Sequence, residues 1–355
     1  MKNKVTKVAW EKTTKANQRK VWLAQRGTLA GSNSVDTCRF GSSDVSTIMG
    51  YNKWSSRKKL YWNTLGRYKT EFNSFKLEMG LRYEDVNRES FECYSSDKEG
   101  FDDRFCKGNN LRTLQSPKYF LMNDGYQHSF SSLDFIMPAK SLCPFTAEIT
   151  TIARPVETKF VNYNSYATWK GKIPTYYYTQ LQHQIMMLNS DGGYLSVIAG
   201  GDFYDCFYAE RDEAFIQQID EAIKDFQIRV LKAKQIKVML DDEVSKPSYD
   251  MEFVESLEEM LTELEPEAVE SDLEFIQDEQ FPNTNPLEMK GDDTCQILID
   301  DYIRYRELES DCKGNKTLIQ AKLTSIMETF EVLKTDTNKV TNRRSFEGKK
   351  YFKVS

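Results

Sequence analysis

The stretch from Ser131 to Leu188 constrains this chain most. It contains SSLDFI, PVETKFV and IPTYYYTQLQHQIMML in that order. Asp134 lies in an apolar run with strand propensity. Glu157 and Lys159 lie two residues apart in a second such run, so their side chains share one face of a strand. We therefore expect two carboxylates and an ammonium group to converge beside a glutamine-rich helix.

Two carboxylates and a lysine suit metal-dependent hydrolysis of a phosphodiester. Carboxylates hold Mg²⁺ while it keeps part of its water shell. The metal stabilises the charge that develops on the phosphodiester, and a neighbouring lysine polarises or orients the attacking water. An isolated D…ExK pattern also occurs by chance, and Lys159 could form a structural ion pair with Glu157. Glu148 is a second acid nearby, but no lysine follows two residues later, so we expect a structural or outer-shell role for it.

Composition excludes several classes of protein. The chain has 355 residues, of which 39% are hydrophobic. No apolar run approaches the roughly 18 residues needed to span a bilayer, and the N-terminus lacks the apolar centre of a signal peptide. We expect no membrane association and a cytoplasmic location, in a bacterial host if the gene is phage-borne. The seven cysteines include no CxxC pair, which predicts reduced thiols without a zinc site or an iron–sulfur cluster.

Charge divides the chain into segments. The net charge is −6, yet the first 70 residues hold about 15 Lys and Arg against three acids, and residues 241–300 hold about 20 acids against two lysines. We predict a flexible basic arm over 1–20, a main domain over 21–240, an acidic linker over 241–293 with a short helical patch, and a C-terminal helical pair with a terminal hairpin over 294–355.

Several further blocks occur in one order along the chain. They are RFGSSDVSTIMGYNKWSSRKKLYWNTLG, MGLRYED, SLDF, ETK, QLQHQ and AERDEAFIQQI. Together they resemble the YqaJ-type viral recombinase family, which is similar to the lambda-type phage exonucleases of the PD-(D/E)XK superfamily. The resemblance covers roughly Trp22 to Phe226. Several blocks in one order are more specific than any single block.

The resemblance implies an α/β fold in which a mixed central sheet is flanked by helices. It also implies a catalytic set of Glu84 (from GxxxE), Asp134, Glu157, Lys159 and Gln180, with Gln182 as the alternative if the helix register is shifted. The metal would be Mg²⁺, with Mn²⁺ as a substitute, held by Asp134, Glu157, the backbone carbonyl of Thr158, and Glu84.

A second implied site binds the DNA phosphate. In the family pattern a serine at a helix N-terminus and an arginine before it lie near the phosphate, which we transfer to Ser43 and to Arg26 or Arg39. The insertion LAGSNSVDTC between the two arginines leaves both open. His183 has no second histidine at ligand spacing, so we expect it on a helix surface or in a DNA groove rather than on a metal.

The function implied by the resemblance is a 5′→3′ exonuclease on linear duplex DNA. It would produce 3′ single strands for a partner annealing protein or a single-strand-binding protein, and would work as a ring-like trimer. Two alternatives stay open. One is a non-catalytic DNA-binding recombination scaffold, which would be expected to lose at least one catalytic residue. The other is a restriction-type endonuclease, which would also cut a closed plasmid.

Overall fold

The computed structural model describes residues 3–14, 17–67, 74–95, 100–101, 113–143 and 148–272. It also describes 295, 297–309, 312–313, 315, 332–334, 339–344 and 350–354. The contacts divide the chain into two units, Met1–Pro282 and Asn283–Ser355. None of the helices in these described ranges is both long enough and apolar enough to cross a membrane.

The first unit contains the residues of the predicted site. In chain order its elements are β1 (Val5–Ala9), α1 (Gln18–Ala30), β2 (Phe40–Gly41), α2 (Ser42–Ile48), α3 (Arg57–Thr64), α4 (Ser74–Cys93), β3 (Tyr94–Ser95), β4 (Gly100–Phe101), β5 (Tyr119–Asn123), β6 (Ser129–Phe130), β7 (Phe135–Met137), β8 (Arg154–Val161), α5 (Tyr163–Ala167), α6 (Thr175–Leu188), β9 (Gly192–Ala199), β10 (Phe203–Glu210), α7 (Glu213–Val244) and α8 (Met251–Glu263).

The central sheet has four strands in the order β10-β9-β8-β7. β8 and β9 are parallel, and the pairs β7–β8 and β9–β10 are antiparallel. Every residue of β9 is buried, as expected for a strand covered on both faces. The mixed α/β class predicted from the sequence is therefore confirmed.

The connection between β8 and β9 sets the position of α6. Two parallel strands need a crossover, and here the crossover contains α5 and α6. Gly193 in β9 lets α6 approach closely, since a Cβ at this position would lie 2.9 Å from Pro155 and 3.0 Å from Leu181. The glutamines of α6 are thus held directly over β8.

Helices cover both faces of the sheet. Leu195 and Val197 of β9 pack in a core with α2, α6 and α7. On the opposite face, Val156 and Tyr194 pack against Phe91 of α4. Side chains alternate along β8, so Glu157 and Lys159 point to the face that α6 covers.

The N-terminal segment differs from the predicted flexible arm. Val5–Ala9 forms β1 and pairs antiparallel with β5. The following Trp10 contacts Trp22 and Phe120, with ring centroids 6.3 and 6.1 Å apart. The strand's hydrogen-bond partners come from residues more than 100 positions away, so local sequence gives little sign of the pairing.

The expected acidic linker also differs in its first half. The helical patch forms α8, and its Leu257 and Leu261 are buried in the core. The Tyr61 hydroxyl of α3 donates to the Leu261 carbonyl at 2.9 Å, and Arg67 donates to both carboxylate oxygens of Glu258 at 3.0 and 3.1 Å. These contacts with α3 and with Arg67, which follows it, pack this stretch on the main domain. Residues 273–294 lie outside the described ranges.

The second unit is described in part. It contains a helical stretch over 297–309 and a three-stranded antiparallel sheet of β11 (Val332–Lys334), β12 (Lys339–Arg344) and β13 (Lys350–Val354). β12 and β13 pair where the sequence analysis expects a terminal hairpin. The second helix of the predicted helical pair falls mostly outside the described residues.

Candidate active site

Asp134 and Glu157 meet across two neighbouring strands. Asp134 immediately precedes β7, and Glu157 and Lys159 lie in β8. The antiparallel register pairs Phe135 with Val156. Continuing it by one residue places Asp134 opposite Glu157, and directly opposed residues have Cβ atoms about 5 Å apart. The sequence spacing and the strand register thus bring these three side chains together.

Glu157 is held by three hydrogen-bond donors. Its side chain is 3% exposed. The Nε2 of Gln180 donates to Oε1 at 2.6 Å, and the Nε2 of Gln184 donates to Oε2 at 2.5 Å. The Lys159 ammonium also donates to Oε1. Gln180 and Gln184 are one helical turn apart on α6, so the helix positions both carboxylate oxygens.

Asp134 is held by a single residue of the neighbouring strand. The backbone amide and the hydroxyl of Thr158 both donate to Asp134 Oδ2, each at 2.9 Å. No hydrogen-bond donor in the described ranges reaches Oδ1. The metal-binding role expected of the Thr158 carbonyl stays a prediction. The structure shows in addition that Thr158 holds the Asp134 carboxylate in place.

Glu84 comes to the site from α4 on the other side of the sheet. Asp134 and Glu157 both act electrostatically on its carboxyl, so Glu84 lies within electrostatic range of both. One turn later, Asn87 donates to the carbonyls of Lys159 at 3.2 Å and Ser196 at 3.1 Å. Asn87 thereby attaches α4 to both β8 and β9. Sequence reasoning missed Asn87; its three-residue spacing from Glu84 was the available signal.

Burial and neighbouring carboxylates raise the pKa values of Glu84 and Asp134. Burial, followed by Asp134 and Glu157, raises the pKa of Glu84 to about 8. Burial, followed by Glu157, raises the pKa of Asp134 to about 7. Burial alone would lower the pKa of Lys159, but Glu157 and Asp134 outweigh it and raise that pKa. One ammonium group therefore does not balance the negative charge of this cluster.

The donor set fits a hard divalent cation. Three carboxylates face one ammonium, and Asp134 Oδ1 and the Glu84 carboxylate accept no hydrogen bond from any described residue. Within the described ranges, no three His, Cys, Asp or Glu side chains are close enough together to hold a metal by themselves.

The structure distinguishes the glutamines of α6. Gln182, the alternative to Gln180, is fully buried and faces away from the carboxylates. Its amide donates to the Glu210 carbonyl at 2.6 Å and accepts from the Asp212 amide at 3.1 Å. It therefore connects α6 to the start of α7. Gln180 contacts Glu157 without any shift of register, and Gln184 joins it.

The prediction for His183 is wrong. This histidine is 0% exposed and lies neither on a helix surface nor in a groove. Its Nδ1 lies 2.9 Å from the hydroxyl of Ser42, which lies 2.8 Å from the hydroxyl of Ser131. Burial lowers the pKa of His183 to about 3, so the ring is neutral. The network joins α6, the start of α2 and the segment before β7.

Arg26 and Ser43 lie together at the start of α2. The Nη2 of Arg26 donates to the Ser43 hydroxyl at 2.9 Å and lies 3.5 Å from Asp44. Gly41 leaves room for this guanidinium, since a Cβ there would come within 3.1 Å of its Nη2. Two of the three residues predicted to bind the DNA phosphate are therefore adjacent.

Arg39, the other arginine predicted for the phosphate, contacts backbone carbonyls. Its Nε donates to the Gln127 carbonyl at 2.9 Å, and its Nη1 donates to the Leu29 carbonyl at 3.1 Å. A guanidinium that satisfies two backbone carbonyls joins segments of the fold. Of the two arginines left open by the sequence, Arg26 is therefore the one placed beside Ser43.

Arg19 was missed by the sequence analysis. Its guanidinium lies 4.6 Å from the Trp22 ring. Partial desolvation, and then Arg26, lower the pKa of Arg19, whereas Glu84 acts in the opposite direction. Arg19 is thus close to both Arg26 and Glu84. The signal was its seven-residue spacing from Arg26, which is two turns of α1 and one helix face.

The solved structures that this chain resembles include exonucleases. An alkaline exonuclease from Laribacter hongkongensis is 15% identical, with a TM-score of 0.43, over 58% of this chain and 95% of that one. Its complex with dAMP gives 14% identity and the same TM-score and coverage. A phage-related exonuclease from Haemophilus somnus is 12% identical, with a TM-score of 0.37, over 57% and 96%.

The sequence itself gives a family match. No curated relative matches the chain. The model of the YqaJ-like viral recombinase domain matches residues 22–191, which contain Glu84, Asp134, Glu157, Lys159 and Gln180. The match agrees with the resemblance drawn from the motifs. Residues 22–191, just under half of the chain, are therefore similar to the YqaJ-like viral recombinase domain.

Proposed function

We propose that this protein is a metal-dependent deoxyribonuclease that degrades linear double-stranded DNA from the 5′ end and leaves 3′ single strands. The observation that carries the proposal is the convergence of Asp134, Glu157 and Lys159 across β7 and β8, with Glu84 beside them. All four lie in the part of the chain that matches the YqaJ-like domain. A scaffold that had lost catalysis would not need to keep the whole set.

The carboxylates would hold the cofactor. Mg²⁺, or Mn²⁺ in its place, would be bound by Asp134 and Glu157 and would supply Lewis-acid stabilisation of charge on the phosphodiester. The family resemblance adds Glu84 as a ligand, but Glu84 does not complete a three-carboxylate site with them in the described residues. The chain prepares these groups in advance. Gln180 and Gln184 fix Glu157, and Thr158 fixes Asp134. Such preorganisation avoids reorientation of dipoles during the reaction.

Lys159 supplies positive charge at the reacting group. Its ammonium contacts Glu157, and its raised pKa keeps it protonated at neutral pH. It can therefore donate to the attacking water or to a phosphate oxygen, but it cannot serve as a base while protonated. We assign it the role of orienting water and stabilising charge.

Arg26 and Ser43 would bind the terminal 5′-phosphate. A guanidinium and a hydroxyl both donate to phosphate oxygens, and charge-assisted bonds of this kind are strong. Arg19, two turns before Arg26 on α1, adds a second positive charge that acts on both Arg26 and Glu84. A phosphate held here would define which strand end enters the site, and this supports the proposed 5′→3′ polarity.

The family resemblance extends the proposal to assembly. On that basis we propose a homo-oligomer, a trimer in the form we favour, that acts in the cytoplasm. Its product would be passed to a single-strand annealing protein or a single-strand-binding protein.

One experiment tests activity, polarity and end preference together. Linear duplexes labelled at either the 5′ or the 3′ end, each with and without a 5′-phosphate, are incubated with the protein and Mg²⁺. We expect early release of the 5′ label as a mononucleotide, late release of the 3′ label, and faster cutting with a 5′-phosphate. A closed plasmid is the matched control and should stay intact.

Other outcomes would decide against the proposal. Linearisation of the plasmid would favour the restriction-type endonuclease. DNA binding without cleavage at any Mg²⁺ or Mn²⁺ concentration would favour the scaffold. Early release of the 3′ label would reverse the polarity while leaving the metal chemistry in place.

A further inference from the structure

Trp54 is exposed on a well-anchored loop. Of the five tryptophans, all within the described ranges, it alone is exposed, with 62% of its surface accessible. Its backbone amide donates to the Asn52 side chain at 2.9 Å, and the Asn52 amide group donates to the Thr47 hydroxyl at 2.9 Å. The loop therefore holds a large aromatic ring in solvent at a fixed place.

A series of rings leads from Trp54 to the candidate active site. The Trp54 and Tyr176 rings are 5.0 Å apart and nearly perpendicular, and the Tyr176 and Tyr177 rings are 4.4 Å apart. The Lys159 ammonium lies 5.2 Å from the Tyr177 ring. We call Trp54, Tyr176 and Tyr177 the aromatic track. A lone exposed aromatic is ordinary on a protein surface, but this one is continuous with the reacting groups.

The outer end of the aromatic track carries a positive charge. The Lys53 ammonium lies 4.8 Å from the Trp54 ring and 5.8 Å from the Tyr176 ring. A flat apolar surface beside an ammonium matches a ligand that joins a flat apolar group to an anion. A nucleotide of single-stranded DNA is such a ligand, since bases stack on aromatic side chains and phosphates bind lysine.

We propose that the aromatic track is a binding site for unpaired bases of the DNA strand that adjoins the scissile phosphate. Trp54 would stack on one base, and Lys53 would contact the neighbouring phosphate. The inference rests on the proposed nuclease function and adds a separate site to it. It explains how a duplex end could stay open near the carboxylates, because bases stacked on protein do not return to the duplex.

The test measures binding of single-stranded DNA without cleavage. An oligothymidylate and an abasic oligonucleotide of equal length are titrated into wild type, Trp54→Ala, Trp54→Phe and Lys53→Ala proteins in EDTA. Tyr249→Ala is the matched control, because Tyr249 is an exposed aromatic outside the aromatic track. Thermal melts verify that each variant is folded.

We expect Trp54→Ala to bind the oligothymidylate about tenfold more weakly, which is the size of one lost base stack. Trp54→Phe and Tyr249→Ala should stay near wild type. The abasic strand should not distinguish Trp54→Ala from wild type. Lys53→Ala should instead reduce the slope of log affinity against log salt concentration, by the equivalent of about one released counterion.

Two results would overturn the inference. One is equal affinity of wild type and Trp54→Ala for the oligothymidylate. The other is an equal loss for the abasic strand, which would show that Trp54 contacts the sugar-phosphate backbone rather than a base. Because the assay contains EDTA, an absence of cleavage in the end-labelling experiment would remove the proposed function without altering these binding results.

Discussion

The candidate carboxylate site (Asp134 and Glu157) and the proposed phosphate site (Arg26 and Ser43) hold their charges in different ways. Glu157 is almost fully buried and accepts from three donors. Arg26 is partly exposed; it donates to Ser43, lies near Asp44 and is close to the rings of Trp22 and Phe130. A metal and a reacting phosphate need ligands at fixed positions before binding. An incoming DNA end needs positive charge that it can reach. We therefore expect mutations in the first site to act on chemistry and those in the second to act on end recognition.

The largest effect is expected from Asp134→Asn. The amide oxygen can still accept from Thr158, so the fold should be kept while one negative charge is lost. We expect single-turnover cleavage to fall by about 10³-fold or more, as the metal is weakened. Binding of a duplex end in EDTA should stay intact. Asp124→Asn, in an exposed turn, is the control. Cleavage at the wild-type rate would show that the site is wrongly assigned.

Lys159→Ala separates a catalytic ammonium from a structural ion pair. With a catalytic role, single-turnover cleavage at saturating Mg²⁺ should slow by about 10²- to 10³-fold, and Lys159→Arg should not restore it, because a planar fork places its charge differently. With a structural role, the arginine variant would recover most activity and the alanine variant would mainly lower the melting temperature. Equal rates for arginine and lysine would remove the catalytic role.

Gln184→Met tests the support of Glu157, with Gln182→Met as its matched control on the same helix. Gln184 donates to the carboxylate, whereas Gln182 connects α6 to the start of α7. We expect Gln184→Met to weaken apparent Mg²⁺ affinity by about 10- to 100-fold, as for other groups that orient metal ligands. Gln182→Met should lower the melting temperature with little change in Mg²⁺ dependence. The reverse pattern would contradict the geometry.

Arg26→Gln should affect end recognition more than chemistry. We expect about a tenfold loss of the preference for a 5′-phosphorylated duplex, read as the ratio of cleavage rates with and without the phosphate. Arg39→Gln is the control and should keep the preference, since Arg39 donates to backbone carbonyls. If Arg39→Gln removes the preference and Arg26→Gln does not, the phosphate site lies elsewhere.

The smallest effect concerns stability and pH. The pKa of Asp134 is raised to about 7 and that of Glu84 to about 8, so the folded protein retains protons that the unfolded chain releases near pH 4. Stability of the metal-free protein should therefore fall as pH rises from about 4 to 8. We expect the melting temperature in EDTA to drop by a few degrees between pH 6 and 9. Addition of Mg²⁺ should raise the melting temperature more at pH 9 than at pH 6. A flat profile in EDTA would contradict the raised pKa values.

The strands that carry the candidate site residues were the most predictable part of the molecule. Glu157 and Lys159 share a face because side chains alternate along a strand, and this rule needs no tertiary information. Gln180 followed from helical spacing and the family pattern. Glu84 could be predicted only from the family resemblance. A helical glutamate near Arg82 gives no local sign that its side chain lies near strands from another part of the chain.

The remaining features depend on contacts between distant segments. β1 pairs with a strand more than 100 residues away, α8 packs on α3, and His183 is buried against Ser42 of α2. None of these partners is visible in a local window of sequence. The choice between Arg26 and Arg39 likewise required the carbonyls of Leu29 and Gln127 to be located.

Asn87 fixes the position of α4 relative to the central sheet. Its amide bonds two adjacent strands at once, and Glu84 lies one turn earlier on the same helix. A slide of α4 along its axis, or a rotation about it, would break both bonds together. Asn87 therefore holds Glu84 in a fixed position relative to the sheet that carries Asp134 and Glu157. When α4 and the sheet move thermally, they move together, and the distances between the three carboxylates stay the same.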